Sequence, residues 1–325
     1  MAVTHHPVHP VHLPGTPTPA RFPLNTLAIG FGLAGLAEVW TKASPALSLP
    51  RAVLQTFWAV TAAAWVWLII AHLVRGRRSG ESLGSQLRHP AQGPIASLAP
   101  VTGMLIAADL STWSLTAGRV LFFITLAGSV TLASWMIGYW LEGGLNPEAM
   151  HPGYLLPTVA PGLVGGDVAA VIGYRGLGWA LFGVGSFFGV VLTAVVLQRL
   201  VFRAVLPDAL LPTVAILLAP PAVAGLAWFS LHGPVSDPVA KSLAGMGVLL
   251  LLVQAAMLPR YRKLHFSIGF WSFTFPLAAS VALTLEWLEI TEPAGWRVYS
   301  GVLVAVITVF IGVIAARSLK LVERG

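Results

Sequence analysis

Apolar runs, each close to the roughly 20 residues a helix needs to cross a bilayer, recur ten times along the chain, at about 23–40, 52–74, 93–113, 119–140, 153–171, 176–198, 208–230, 240–258, 266–287 and 296–316. Short connectors rich in Arg, Lys, Pro and Gly separate them. The runs are too long and too evenly apolar for barrel strands, which alternate polar and apolar positions in short segments. The pattern predicts an all-α integral membrane protein of ten transmembrane helices, paired as five hairpins around a central axis. Residues 1–21, rich in His, Pro and Thr, read as a flexible cytoplasmic tail, 22–318 as the membrane domain and 319–325 as a short cytoplasmic C-terminal tail. No basic stretch precedes a short apolar core at the N-terminus, so the first run reads as a retained span rather than a signal peptide.

Composition sharpens this reading. The chain of 325 residues is 56% hydrophobic and 10% charged, too apolar to cover a water-facing surface, which sets aside soluble enzymes and nucleic-acid binders. Cysteine is absent, which removes disulfides and thiolate chemistry. The net charge of +7 is unevenly distributed. Arg21, Arg75, Arg77, Arg78, Arg88, Arg199, Arg203, Arg260, Arg262, Lys263, Arg317, Lys320 and Arg324 fall on one side, and Lys42, Arg51, Arg119, Arg175, Lys241 and Arg297 on the other. The positive-inside rule then puts both termini in the cytoplasm; the plasma (inner) membrane is the expected location. Trp40, Trp113, Trp179, Trp228, Trp287 and Trp296 fall at the opposite ends, where indole rings favour the interface.

Prolines divide the runs into two sets. Pro100, Pro157, Pro212 and Pro276 lie in runs three, five, seven and nine, while the interiors of the even runs have none. A proline frees a backbone carbonyl that lipid cannot satisfy, so kinked helices belong inside the bundle and the even ones outside. Leu156-Pro157-Thr158-Val159-Ala160 recurs as Leu211-Pro212-Thr213-Val214-Ala215, consistent with an internal hairpin repeat.

Several motifs carry no chemistry in this setting. Gly30-Phe31-Gly32-Leu33-Ala34-Gly35 matches a dinucleotide fingerprint but lies inside a span, where small residues serve close helix packing. Gly80-Glu81-Ser82-Leu83-Gly84 matches a hydrolase elbow without the strand it requires. His5, His6, His9 and His12 lack a scaffold for a metal, and His72, His89, His151, His232 and His265 read as interfacial side chains. No cofactor or metal is expected. An intramembrane enzyme lacks its usual signatures, paired midplane acids or a His-Glu-x-x-His motif. Within the odd runs acids occur only toward the outer ends, at Glu38, Asp109, Asp167 and Glu286. A neutral path that releases its cargo therefore fits a passive anion channel or facilitative exporter, with hydroxyls of Thr102, Thr158 and Thr213 as donors. A secondary carrier for C4-dicarboxylates, sulfite or tellurite-type oxyanions is the alternative.

Phe266-Ser267-Ile268-Gly269-Phe270-Trp271-Ser272-Phe273-Thr274-Phe275-Pro276 resembles the ninth helix of the tellurite-resistance/dicarboxylate transporter family, whose members include the plant guard-cell slow anion channels. Leu211-Pro212-Thr213 with Leu218-Ala219-Pro220-Pro221 is similar to its seventh helix, and Pro23-Leu24-Asn25 leading into Gly32-Leu33-Ala34-Gly35-Leu36 to its first. The resemblance implies five inner helices around a pore, an outer ring of five, a homotrimer with one pore per subunit, and a phenylalanine plug, here Phe275. It implies small anions as cargo and the lipid bilayer as surroundings, with no nucleic acid. It does not extend to the His-rich tail, and the phosphorylation control of the plant members is not carried over. On a helix Phe275, Ala279, Ala282 and Glu286 share one face, which would set Glu286 at the outer mouth.

Overall fold

The computed structural model describes residues 21–143 and 145–322. Among them it holds helices and turns and no strand. Ten long helices are α1 (Leu27–Leu47), α2 (Arg51–Arg78), α4 (Leu98–Ser111), α5 (Leu115–Leu141), α6 (Val159–Val171), α7 (Arg175–Phe202), α8 (Ala219–His232), α9 (Pro238–Tyr261), α10 (Thr274–Thr291) and α11 (Trp296–Val322). A short helix, α3 (Leu83–Arg88), sits in the connector after α2, capped by Ser82, whose hydroxyl accepts from the Ser85 N–H at 3.0 Å. Among the described residues, nine helical segments are long and apolar enough to span a membrane; the tenth expected span is the shorter α6.

The two sets of helices differ in construction. Outer helices α2, α5, α7, α9 and α11 are single α-helices of 24 to 28 residues. Inner helices α1, α4, α6, α8 and α10 are shorter, and each is led in by a tighter 3₁₀ segment: Leu24–Thr26, Gly93–Ser97, Pro152–Leu155, Leu211–Leu218 and Ile268–Phe273. α1 contacts α4, α4 contacts α6, α6 contacts α8, α8 contacts α10, and α10 returns to α1, so the inner set closes on itself. Between 61% and 78% of the residues in four inner spans are buried, against at most 28% in the outer ones, whose remaining faces carry the apolar side chains that lipid requires.

Prolines enforce this construction differently from the kinks expected. Pro100, Pro161, Pro221 and Pro276 are each the third residue of α4, α6, α8 and α10. In the first turn proline gives up no bond within the α-helix itself and fixes φ for it. Pro157 lies in the turn ahead of α6, and Pro212 is the second residue of the 3₁₀ lead into α8. The Leu-Pro-Thr-Val-Ala repeat therefore falls at unequal distances from its two helices, and the register of the structural repeat is that of the third-residue prolines. Outer helices are also not free of proline, since Pro259 lies in the last turn of α9.

Boundaries shift at both ends. Arg21 belongs to the folded body, donating from Nε to Gln86 Oε1 at 3.0 Å and from Nη1 to the Glu81 carbonyl at 2.8 Å. α11 runs on to Val322, past the expected end at 318. His5, His6, His9, His12 and Arg324 lie outside the described residues. The α8–α9 connector is pinned by Asp237, which accepts from the Ala240 N–H at 2.7 Å and from Trp228 Nε1 at 2.8 Å. These bonds, the Ala240 N–H first, hold its carboxyl below the usual carboxylate range.

Candidate functional site

The five inner segments all enter through their 3₁₀ leads from the end of the bundle that carries Arg75, Arg78, Arg260 and Arg262, so the N-termini of their α-helices are turned toward that end. Each helix start carries about half a positive charge, which favours anions on that side. Further along, the axis narrows at aromatic rings. Phe275, second residue of α10, stacks on Phe31 of α1 with ring centroids 3.6 Å apart and planes 18° from parallel. Second residues of three other inner helices, Ala28, Ala160 and Pro220, line the cavities beside it and are small. One bulky side chain therefore stands where its counterparts leave room.

Glycine sets this pair in place. At Gly35 an added Cβ would lie 3.0 Å from Phe275 Cδ2, and at Gly32 it would collide with Thr274 Oγ1. The motif read as a packing motif thus brings α1 against α10, the helix that carries Phe275. Gly30 points the other way, toward Leu68 and Trp65 of α2.

Three small cavities follow the axis, of about 40, 30 and 20 Å³, and Phe275 is in the wall of all three. Each has room for about a water molecule or two. Asn25, Thr213 and Ser272 line the first, on the basic side of the rings; the second is apolar; Glu38 and Asp167 line the third, beyond the rings. The stacked rings of Phe275 and Phe31 stand between the first cavity and the third.

Of the threonines expected as donors, Thr102 and Thr213 are already committed, donating to the carbonyls of Leu98 at 2.7 Å and Leu210 at 2.6 Å. The hydroxyl of Thr158 is buried with no partner. Asn25, which the sequence reading passed over, presents a buried side-chain oxygen without a partner beside the first cavity.

The four acids separate into two groups. Asp109 accepts from Gln55 Nε2 of α2 at 3.1 Å, on the flank of the bundle. Glu286 accepts from Lys42 at 2.6 Å, and Lys42 Nζ lies 3.8 Å from Glu38, which shares its cavity with Asp167. Lys42 falls beyond the apolar run 23–40 but within α1, so the inner ring contains an ammonium that the sequence reading assigned to a connector. It compensates part of the negative charge at that end. Phe275 and Ala279 line the same cavity as Glu38, and Glu286 joins it through Lys42.

His151 departs from the interfacial reading. It is fully buried, with Nδ1 accepting from the Gly153 N–H at 3.1 Å, and its role is to cap the 3₁₀ lead into α6. Among the described residues no cluster of His, Asp or Glu has metal-binding geometry.

A closed ring of helices with their positive ends turned toward one mouth, around an axis lined by small cavities and a stacked aromatic pair, defines a multi-pass membrane protein of the channel or transporter class. The family model described as voltage-dependent anion channel (SLAC1) matches residues 21–319, and the chain belongs to that family. It is 29% identical over 271 residues to the tellurite resistance protein TehA homolog of Haemophilus influenzae, covering 83% of this chain and 82% of that protein. It is 23% identical to the guard cell S-type anion channel SLAC1 of Arabidopsis thaliana over 83% of this chain and 50% of that protein. With the S-type anion channel SLAH3 of the same plant it shares 22% identity over 90% of this chain and 47% of that protein, so it spans about half the length of the plant relatives.

Proposed function

We propose that the protein is a passive anion channel or facilitative anion exporter whose path runs along the axis of the inner ring and is gated by Phe275 stacked on Phe31. The observation that carries this reading is that Phe275 borders every cavity on the axis. The family of anion channels, and the helix N-termini turned toward the basic mouth, support anions as cargo. The closed cycle of inner helices and the third-residue prolines support five hairpins in a pseudo-five-fold arrangement. The basic connectors support cytoplasmic termini in the plasma membrane. A homotrimer is the assembly the family resemblance implies, checked by the mass of the purified protein.

The test is the conductance of Phe275→Ala in planar bilayers, with chloride, nitrate, sulfite and malate compared. Removing the ring opens the constriction, so basal current rises, and Phe31→Ala gives a smaller rise. Unchanged current in a folded Phe275→Ala protein overturns the gate.

A second reading, a carrier of oxyanions or C4-dicarboxylates, is favoured by one feature: Glu38, Asp167 and Lys42 gather beside the path, where a co-transported proton would bind. Uptake driven by an imposed pH gradient at zero voltage supports the carrier; flux that follows the anion gradient alone supports the channel.

A further inference from the structure

Each outer helix packs on the inner helix that precedes it, and four of the five also pack on the next or neighbouring inner helix: α2 on α4, α5 on α6, α7 on α8, and α11 on α1. Among the described residues α9 is the exception. It leans on α8 and the 3₁₀ lead Leu211–Leu218 and makes no comparable contact with α10. The gap left between α9 and α11 is a cleft of about 440 Å³, more than ten times any cavity on the axis. Its volume lies within the range of sites that hold small organic ligands.

Its chemistry is that of an amphiphile's complement. Leu251 and Leu258 of α9 and Phe310 and Val313 of α11 form the walls. The polar groups within are already paired: Tyr261 donates to Gln254 Oε1 at 2.7 Å, and Gln254 Nε2 donates to the Val214 carbonyl at 3.3 Å. The interior therefore offers apolar surface. At the end that belongs to the basic mouth, Arg262 and Arg317 form the rim. Arg317 is seated with its guanidinium 4.5 Å from the centre of the Phe266 ring, which covers one face of the cation and leaves its N–H edges free. Both arginines are exposed and neither is in an ion pair among the described residues.

We infer that this cleft binds an anionic phospholipid, acyl chain between α9 and α11 and headgroup phosphate on Arg262 and Arg317. Planar guanidinium groups suit phosphate oxygens, and their place at helix ends is the depth at which headgroups lie. A second copy of the chain is the weaker occupant, because in the same orientation it would bring its own basic end to the same depth. The inference is independent of the gate: it concerns the lipid-facing side of the ring and holds whether the axis conducts or carries.

Protein purified in dodecyl maltoside is examined by native mass spectrometry with added palmitoyl-oleoyl phosphatidylglycerol or the phosphatidylcholine of the same chains. The wild type is expected to prefer phosphatidylglycerol by about 25-fold, from two basic side chains each worth about fivefold toward an anionic lipid. Arg262→Gln/Arg317→Gln brings the two lipids near parity, and Ala255→Trp, which fills the cleft, weakens both. Free inorganic phosphate at the same concentration does not displace phosphatidylglycerol if the acyl chain is part of the ligand. Equal binding of both lipids to the wild type, or an undiminished preference in the double Gln protein, overturns the inference, and so does a change of oligomeric mass in Ala255→Trp with lipid binding intact. The two arginines are exposed, so the Gln variant decides the matter even where the Trp variant does not fold.

Discussion

The inner and outer helices are written in the same apolar alphabet, yet they answer to different constraints. An outer helix meets lipid on one side and needs an unbroken set of backbone hydrogen bonds, which α2, α5, α7, α9 and α11 supply over 24 to 28 residues. An inner helix meets protein on all sides, so it can be short, begin in a 3₁₀ turn and place proline in its first turn. What it cannot do is change volume, because its neighbours close around it. Gly32 and Gly35 on α1 touch α10, whereas Gly183, Gly245 and Gly247 on outer helices have no side-chain or foreign backbone atom within 4 Å of an added Cβ.

The sharpest way to break this contrast is a pair of identical changes. Gly32→Ala forces a Cβ into Thr274 and to 2.9 Å from Trp271, and overpacking of this kind costs about 1–3 kcal/mol. Gly247→Ala, in open space in the middle of α9, is expected to be neutral or to stabilise by up to about 1 kcal/mol through helix propensity. Thermal unfolding in detergent measures both. Equal shifts would mean that the inner ring is no more tightly packed than the outer one.

How much of this was readable follows from the same contrast. Nine of the ten expected spans could be read, because each is long and apolar, and the prolines pointed to the inner set; the tenth, α6, is apolar but short. The 3₁₀ leads could not, since a Leu-Pro-Thr-Val-Ala segment looks the same whether its last two residues start the helix, as at Val159-Ala160, or it opens an eight-residue lead, as at Leu211. Which face of a span packs was also hidden: lipid and protein both accept Leu and Val, so no polar alternation marks the buried side. Phe275 was singled out through a family motif, but its stacking partner Phe31 depends on how α1 lies against α10, three-quarters of the chain away. Lys42 was missed because a tally of connectors treats every charge near a span end as solvent-facing, and only the fold brings it to Glu286 and Glu38.

A second prediction uses that lysine. Lys42→Met leaves Glu38 and Glu286 without their shared cation beside the path. Anion current at pH 8 should fall about tenfold, a barrier of about 1.4 kcal/mol, within the ~2 kcal/mol that two unit charges about 8 Å apart exert at an effective dielectric constant near 20. Adding Glu286→Gln to Lys42→Met removes one of the two uncompensated charges and should restore part of the current. Currents equal to the parent in both variants would place the cluster outside the path and return it to the role of an inter-helix tie between α1 and α10.

The smallest expected effect distinguishes the inner acid from the flanking one. At the basic mouth exposed arginines gather anions within about a Debye length, roughly 8 Å at physiological salt, and the inner helix N-termini face that side. At the other mouth Glu38, Asp167 and Glu286 outnumber the single Lys42, so anions leaving the basic side meet less resistance than anions entering from the acidic side. Current through an open variant such as Phe275→Ala should rectify in that direction at low salt. Adding Glu286→Gln removes one of three negative charges while leaving the ammonium, and rectification should weaken by about twofold, less in high salt where both mouths are screened. Adding Asp109→Asn should change nothing, because that carboxylate is turned to Gln55 of α2, on the flank of the bundle. Current–voltage curves at two salt concentrations report all of this. If the Asp109 and Glu286 variants behave alike, the division between inner and outer electrostatics fails, and symmetric currents in the Phe275→Ala parent at low salt would remove the polarity of the path altogether.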